Sequence, residues 1–183
     1  MIIMYKGRRG CGKTLTMVKD ALNFYNKGWE IYSNFDIAIP YKKLENEHII
    51  NINENTKIKD CVLLIDEIQT IIDSRRSMRK ENLNFSYFVQ QIRKRNIILL
   101  CTTQFTKTTD IRLREHTDIV VKPKIYREYP IVEATYYDIT SEEELNYIDE
   151  RIIIYNPQAI FNLYDTNEIK QSVRETEKVK NEY

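Results

Sequence analysis

The stretch GRRGCGKT, at residues 7–14, restricts the fold of this chain more than any other feature of its sequence. It fits the spacing G-x-x-x-x-G-K-[ST]. The residues at the fixed positions are Gly7, Gly12, Lys13 and Thr14. Such a loop needs a strand before it and a helix after it. Residues 1–6 form an apolar, β-rich run, and residues 13–26 repeat apolar side chains at the helical interval, so both requirements are met.

Each residue type in this loop has a chemical role in holding phosphate. Gly7, Gly10 and Gly12 allow the backbone to bend so that successive N–H groups point at phosphate oxygens. Lys13 reaches the β- and γ-phosphates, and Thr14 offers a hydroxyl to Mg²⁺. The sequence therefore predicts that the chain binds ATP with Mg²⁺. The residues predicted to bind the nucleotide are Gly7, Arg8, Arg9, Gly10, Cys11, Gly12, Lys13, Thr14 and Leu15.

Two later strand ends supply candidates for hydrolysis. In CVLLIDE, Asp66 follows an apolar run and is predicted to hold Mg²⁺ through its water shell, while Glu67 orients the attacking water. The alternative is an ordinary strand end followed by an acidic helix. In IILLCTTQ, Gln104 is predicted to sit against the γ-phosphate, because ligands collect at the carboxyl ends of parallel strands. The alternative there is a simple loop residue.

Composition limits the classes of protein to which the chain can belong. Hydrophobic residues make up 42% and charged residues 30%, a globular balance. The net charge is +1, so any contact with nucleic acid must come from a local patch. The three cysteines show no CxxC spacing, which indicates reduced thiols. Apolar runs of about five residues are far shorter than the ~20 needed to span a bilayer, and no signal peptide is apparent, so we expect no membrane insertion.

The alternation of apolar strands with amphipathic helices predicts an α/β domain with a mostly parallel sheet covered on both faces. The predicted strands are residues 1–6, 30–35, 48–52, 61–65 and 97–103, and the predicted helices are residues 13–26 and 85–94. Further along, residues 118–125 and 131–139 are predicted to form a hairpin, a helix to start at Thr140 or Ser141, and the tail from about 168 to form a helical arm. We expect one domain, with a nucleotide-binding core at 1–123 and the hairpin and arm at 124–183.

Three segments together resemble the FtsK–HerA superfamily of P-loop ATPases. They are GRRGCGKT, LLIDE, and RKRNIILLCTTQ, in which Arg93 lies eleven residues before Gln104. The resemblance is strongest to the viral genome-packaging ATPases and the zonula-occludens-toxin-like phage assembly proteins. AIFNLYDTNE also looks like the YDT-E turn near the end of such domains. The resemblance covers residues 1–168 approximately.

The resemblance implies a RecA-like core in which the strand before Gln104 lies between the strand before the phosphate loop and the Asp–Glu strand. It also implies a ring, usually a hexamer, that pumps double-stranded DNA, and an arginine supplied by a neighbouring subunit. By similarity Arg114 is the first candidate for that arginine, Arg112 the second and Arg93 a third. A surface arginine or a salt bridge is the alternative for each.

A basic segment, SRRSMRKENLN, lies between the Asp–Glu strand and the next helix. Its basic residues are Arg75, Arg76, Arg79 and Lys80. In a ring, such a loop would project into the pore and touch DNA phosphates without distinguishing sequence. A solvated charged surface is the alternative.

The function expected from these features is ATP hydrolysis by a viral genome-packaging motor that translocates double-stranded DNA. Its expected partners are further copies of the chain and a capsid or portal-vertex protein, in the cytoplasm of an infected cell or on the virion. Zonula-occludens-toxin-like proteins normally continue into a membrane-spanning segment, which this sequence does not contain. The alternatives are assembly activity of that type, a nucleotide-gated switch with slow hydrolysis, and a small-molecule kinase in which SRRSMRK forms a lid.

Overall fold

An eight-stranded sheet organises the part of the chain that the computed structural model describes, which is residues 1–45, 57–71, 80–104, 111–126, 128, 131–139 and 150–163. The strands are β1 (Ile2–Lys6), β2 (Glu30–Ser33), β3 (Lys42–Lys43), β4 (Cys61–Ile65), β5 (Ile97–Thr103), β6 (Ile119–Tyr126), β7 (Ile131–Asp138) and β8 (Glu150–Tyr155). The helices are α1 (Lys13–Tyr25), α2 (Ile68–Ile71), α3 (Lys80–Gln91), α4 (Ile111–Glu115) and α5 (Gln158–Phe161). The strand order is β3-β2-β4-β5-β1-β6-β7-β8.

The central strands β2, β4, β5, β1 and β6 are parallel, and β5 lies between β1 and β4, which confirms the order that the resemblance implied. Every residue of β4 and β5 is buried, because both faces of the sheet are covered. Leu63 and Leu99 pack with α3 on one face, and Val62 and Leu100 pack with α1 on the other. The carboxyl ends of these strands therefore meet at one edge of the sheet.

The last three strands form an antiparallel meander. The predicted hairpin is confirmed, with β6 and β7 paired from Ile119 opposite Asp138 to Tyr126 opposite Ile131. The sequence reasoning did not predict β8, which pairs with β7 and contributes Ile153 and Tyr155 to the core on the α1 face.

Several sequence predictions differ from the structure or fall beyond its described part. Glu150 and Arg151 end the stretch assigned to a helix from Thr140 or Ser141, but they belong to β8, where pairing with β7 satisfies their backbone groups. The predicted helix start, the short strand at 48–52 and the tail from about 168 lie outside the described residues. Helix α3 begins before the predicted residue 85, and β2 ends at Ser33, two residues before the predicted end.

No helix in the described ranges combines the length and apolarity needed to span a bilayer.

Candidate nucleotide site

The phosphate loop between β1 and α1 has a backbone that only glycine adopts without strain. Gly12 has φ 98° and precedes the first residue of α1. A Cβ there would lie 3.0 Å from Ile125 Cγ1, and a Cβ at Gly7, where φ is 152°, would lie 2.6 Å from Cys11 Sγ. Both positions combine a left-handed backbone with a close contact, so the glycines are needed for the shape of the loop.

Lys13 lies inside this loop. Its side chain is largely buried, and its Nζ donates a hydrogen bond to the Arg8 carbonyl oxygen at 3.1 Å. Helix α1 starts at Lys13 with no acidic residue in its first turn, so the positive end of its dipole is not offset locally. Arg8 and Arg9 are exposed at the mouth of the loop, whereas the side chain of Leu15 is in the core. Leu15 can therefore contribute only its backbone N–H to an anion.

Thr14 and Asp66 come together at the carboxyl ends of β1 and β4. Thr14 Oγ1 donates a hydrogen bond to Asp66 Oδ1 at 3.1 Å, and Thr102 Oγ1 donates to the same oxygen. Mg²⁺ prefers oxygen ligands and usually keeps several waters, with one or two protein groups. A hydroxyl and a carboxylate beside the phosphate loop fit that preference. These two residues are the candidates to hold the metal.

Glu67 is held by two contacts with the end of β5. Its N–H donates to Thr102 Oγ1 at 2.8 Å, and its Oε1 accepts a hydrogen bond from Gln104 Nε2 at 2.8 Å. The backbone of Glu67 is left-handed, with φ 53°. Such a conformation costs about 1–3 kcal/mol in a non-glycine residue and persists only where the surroundings hold it. The structure therefore places Glu67 and Gln104 together, beside Asp66.

Sequence reasoning missed two polar residues of this site, Asn34 and Thr102. Asn34 follows β2; its Oδ1 accepts the Asp66 N–H at 2.8 Å and its Nδ2 donates to the Asp66 carbonyl oxygen at 3.3 Å. Thr102, fully buried near the end of β5, contacts both Asp66 and Glu67. Their position at the carboxyl ends of parallel strands was the available signal. Together they hold the Asp–Glu junction from both neighbouring strands.

A buried polar cluster anchors α1 beneath the loop. Tyr5 Oη donates a hydrogen bond to Asp20 Oδ2 at 2.7 Å, and Tyr136 Oη donates to the same oxygen at 2.9 Å. Burial, and then the charge of Asp20, raise the pKa of both tyrosines, so the phenols stay protonated and act as donors. Lys19 Nζ lies 2.8 Å from Asp20 Oδ1. The cluster ties β1, α1 and β7 into one unit around the phosphate loop.

The three arginine candidates lie away from this site. Arg93 contacts Asp118 Oδ1, and Asp118 Oδ2 accepts the Ile2 N–H at 2.6 Å, so this pair is at the amino ends of the strands. Arg112 and Arg114 are on α4, whose last turn leads directly to that same edge. Within the chain, the arginines are therefore not brought together with Lys13, and a role towards a neighbouring subunit remains a prediction.

The predicted DNA-binding residues fall mostly outside the described part of the chain. This applies to Arg75, Arg76 and Arg79, while Lys80 is the first residue of α3. Their contact with DNA stays a prediction.

Comparisons with known proteins agree with this fold. The family model for the ATPase family associated with various cellular activities (AAA) matches residues 3–124. The N-terminal domain of zonular occludens toxin from Neisseria meningitidis superposes with a TM-score of 0.62 at 19% identity, covering 90% of this chain and 98% of that one. The genome packaging NTPase B204 from Sulfolobus turreted icosahedral virus 2, in complex with ATP-gammaS, has a TM-score of 0.53 at 13% identity, covering 82% and 95%. No curated protein sequence matches the chain.

Proposed function

The chain belongs to the ATPase family associated with various cellular activities, and from this premise we propose that it is the ATP-driven motor of a ring that moves double-stranded DNA during viral genome packaging. The observation that carries the proposal is that Thr14, next to Lys13, bonds Asp66, and that Glu67 bonds Gln104, at one edge of the sheet. ATP hydrolysis is the activity of the family, and we assign it to this site. The DNA, the ring and the viral setting are the proposed part.

We assign each residue of the site a distinct role in hydrolysis. Lys13 and the loop N–H groups bind the β- and γ-phosphates. Thr14 and Asp66 would hold Mg²⁺, which when bound neutralises charge developing on the transferred phosphoryl group. Glu67 accepts a hydrogen bond from the attacking water and aligns it with the γ-phosphorus. Gln104, which donates a hydrogen bond to Glu67 in this structure, would report on the γ-phosphate by exchanging that partner.

The location of the arginines supports assembly into a ring. An arginine that a neighbouring subunit supplies to the γ-phosphate stabilises the transition state and raises the rate of hydrolysis by about 10³–10⁵. Since Arg93, Arg112 and Arg114 lie at or near the amino edge of the sheet, the site would be completed by a neighbouring copy of the chain. A hexamer is the expected assembly, and a capsid or portal-vertex protein is the expected docking partner.

Mixing two inactive variants tests this arrangement. The Arg114→Ala variant keeps Lys13 and Glu67 in its own site but cannot supply an arginine to the site of the neighbouring subunit. The Glu67→Gln variant keeps Arg114 but cannot hydrolyse ATP in its own site. If the arginine acts between subunits, mixing them forms some intact sites and restores phosphate release, whereas each variant alone is inactive. Arg112→Ala and Arg93→Ala are tested in the same way. Failure of every mixture would contradict the shared site.

Mass and turnover in solution test the motor as a whole. Light scattering with and without ATP and duplex DNA should show an oligomer, and DNA should stimulate phosphate release. A monomer whose turnover ignores every nucleic acid would contradict the motor and leave the ATP hydrolase. Full turnover in Glu67→Gln would instead favour a nucleotide-gated switch.

A phage-assembly ATPase is the second candidate, because the zonular occludens toxin domain gives the higher TM-score, 0.62 against 0.53 for the packaging NTPase. That function predicts oligomers and ATP hydrolysis without stimulation by DNA. The phosphate-release assay therefore separates the two.

A further inference from the structure

Two hydroxyl groups connect strand β8 to the phosphate loop. Thr16, in the first turn of α1, is fully buried, and its Oγ1 donates a hydrogen bond to the Gly12 carbonyl oxygen at 2.8 Å. Tyr155 is the last residue of β8, and its Oη lies 2.9 Å from the same Thr16 oxygen. Because a carbonyl oxygen can only accept, the single proton of the Thr16 hydroxyl goes to Gly12, so Tyr155 is the donor to Thr16. The two hydrogen bonds form a chain from Tyr155 through Thr16 to Gly12.

This chain fixes the orientation of one peptide group of the loop. The Gly12 carbonyl oxygen also accepts the Thr16 backbone N–H at 2.9 Å, so two donors hold it pointing into α1. A peptide group is planar and trans, so its C=O and N–H point in opposite directions. The Lys13 N–H belongs to the same peptide group as the Gly12 carbonyl and therefore points out of the helix N-terminus, towards the phosphate site. Hydrogen bonds to the carbonyl also polarise the peptide group and make that N–H a stronger donor.

The ring of Tyr155 is held in place by contacts that do not need its hydroxyl. Its backbone is opposite Val132 of β7, and its ring packs against the core on the α1 face. The Nζ of Lys19, one turn along α1 from Thr16, lies 5.2 Å from the centroid of this ring and 2.8 Å from Asp20 Oδ1. A cation over a ring face stabilises that arrangement. The Tyr155→Phe substitution keeps these contacts and removes only the hydroxyl.

We propose that Tyr155 is a positioning residue for the nucleotide, which acts through Thr16 to orient the Gly12–Lys13 peptide group so that the Lys13 N–H meets the phosphates. The inference rests on the proposed hydrolysis of ATP at this site, and not on DNA or the ring. The residue acts across 139 positions of the chain, so the last strand of the meander supports the loop that follows the first strand. Since the N–H contacts phosphate in the ground state and in the transition state alike, weakening it raises KM and leaves kcat unchanged.

Phosphate release and the binding of a fluorescent ATP analogue test the inference. In Tyr155→Phe we expect KM for ATP and the dissociation constant of the analogue to rise about three- to tenfold, with kcat within about twofold of the wild type. Inorganic tripolyphosphate, used as a competitor, should lose affinity by the same factor, because the defect is at the phosphates. The matched control is Tyr126→Phe, which removes a hydroxyl that donates to Glu133 Oε2 at 3.0 Å on the same meander. The control should match the wild type in all of these measurements.

A double-mutant cycle tests whether the effect passes through Thr16. Thr16→Val should raise KM at least as much as Tyr155→Phe, and adding Tyr155→Phe to it should cause no further increase. Thr16→Ser keeps the hydroxyl and should restore the KM that Thr16→Val raises. Urea denaturation is measured for every variant, since a purely structural role of Tyr155 would lower stability without changing KM.

The outcomes separate this inference from the proposed function. If the wild type hydrolyses ATP and Tyr155→Phe keeps its KM and its affinity for the analogue, the inference is overturned, while the ATP hydrolase stands. If the effects of Tyr155→Phe and Thr16→Val add, Tyr155 acts by another route and the chain through Thr16 is refuted. If the wild type neither binds nor hydrolyses ATP, the proposed function fails, and the inference fails with it.

Discussion

Replacing Thr102 with valine removes one hydroxyl that holds both acidic residues of the nucleotide site. Valine has nearly the same shape, so the buried position stays filled. Thr102 Oγ1 donates to Asp66 Oδ1 and accepts the Glu67 N–H at 2.8 Å. The variant therefore loses both hydrogen bonds without making a cavity.

The size of the effect follows from these two contacts. A hydrogen bond to a charged group contributes about 1.5–3 kcal/mol, and leaving a buried N–H without an acceptor costs about 1–3 kcal/mol. Since Glu67 is only partly buried, we expect the Thr102→Val variant to lose about 2–4 kcal/mol of the free energy of unfolding. Loss of a residue that orients a metal ligand typically lowers activity about 10–100-fold. We expect that loss in kcat, while KM for ATP changes little because the phosphate loop is intact.

Urea denaturation measures the stability, and phosphate release across a Mg²⁺ titration measures the activity. Thr135→Val is the control, because Thr135 is a buried strand threonine whose hydroxyl makes no hydrogen bond within the described residues. Its free energy of unfolding should stay within about 0.5 kcal/mol of the wild type. If Thr102→Val and Thr135→Val behave alike in both assays, the reasoning about Thr102 is refuted.

Three further predictions follow from single contacts. Asn34→Leu removes the amide that pairs with both backbone groups of Asp66, so the free energy of unfolding should fall by about 1–3 kcal/mol in urea, and kcat should fall more than nucleotide affinity. Gly12→Ala puts a methyl group 3.0 Å from Ile125 Cγ1 on a left-handed backbone, so binding of a fluorescent ATP analogue should weaken at least about tenfold. Burial raises the pKa of Cys101 to about 12 from an ordinary value of 9.0. The contribution of the protonated thiol to the free energy of unfolding is therefore complete below pH 9 and is lost as the pH rises towards 12. The part of the stability in urea that depends on Cys101 should then fall by up to about 1.4 kcal/mol per pH unit above about pH 9.

Controls sharpen these three tests. Gly10→Ala has the same kind of backbone strain, φ 75°, but its Cβ would meet nothing within 4 Å, so it should weaken ATP binding less than Gly12→Ala. Equal losses would mean that the contact with Ile125 is irrelevant. An Asn34→Leu variant with wild-type stability and turnover would show that the amide does not hold the backbone of Asp66 in place. A stability that stays level above pH 9 would contradict the assignment of a protonated, buried Cys101.

Much of the core could be predicted from the sequence because its signals are local. The apolar runs Cys61–Ile65 and Ile97–Thr103 are the observed strands β4 and β5, and α1 begins at the predicted Lys13. Local composition also placed Asp66 and Glu67 at the end of a buried strand, where the structure has them. The position of β5 beside β1 came from the resemblance to a family, since periodicity does not specify strand order.

Local signals failed where pairing with a distant strand decides the conformation. Glu150 and Arg151 follow an acidic, helix-like stretch, yet they are in β8, because their backbone groups pair with β7. The sequence also gave no reason to place Arg93 beside Asp118, 25 residues further along the chain. Such contacts depend on sheet register, which short windows of sequence do not contain.

By itself, the sequence determined that a phosphate loop lies between a strand and a helix, and that an Asp–Glu pair ends another strand. Those features depend on residue order over a few positions, so spacing is enough to identify them. The tertiary structure alone decided that Thr102 and Asn34 hold the Asp–Glu junction from the two neighbouring strands. Thr102 reaches Asp66 across 36 residues of chain only because parallel strands align their carboxyl ends, and that alignment is a property of the folded sheet.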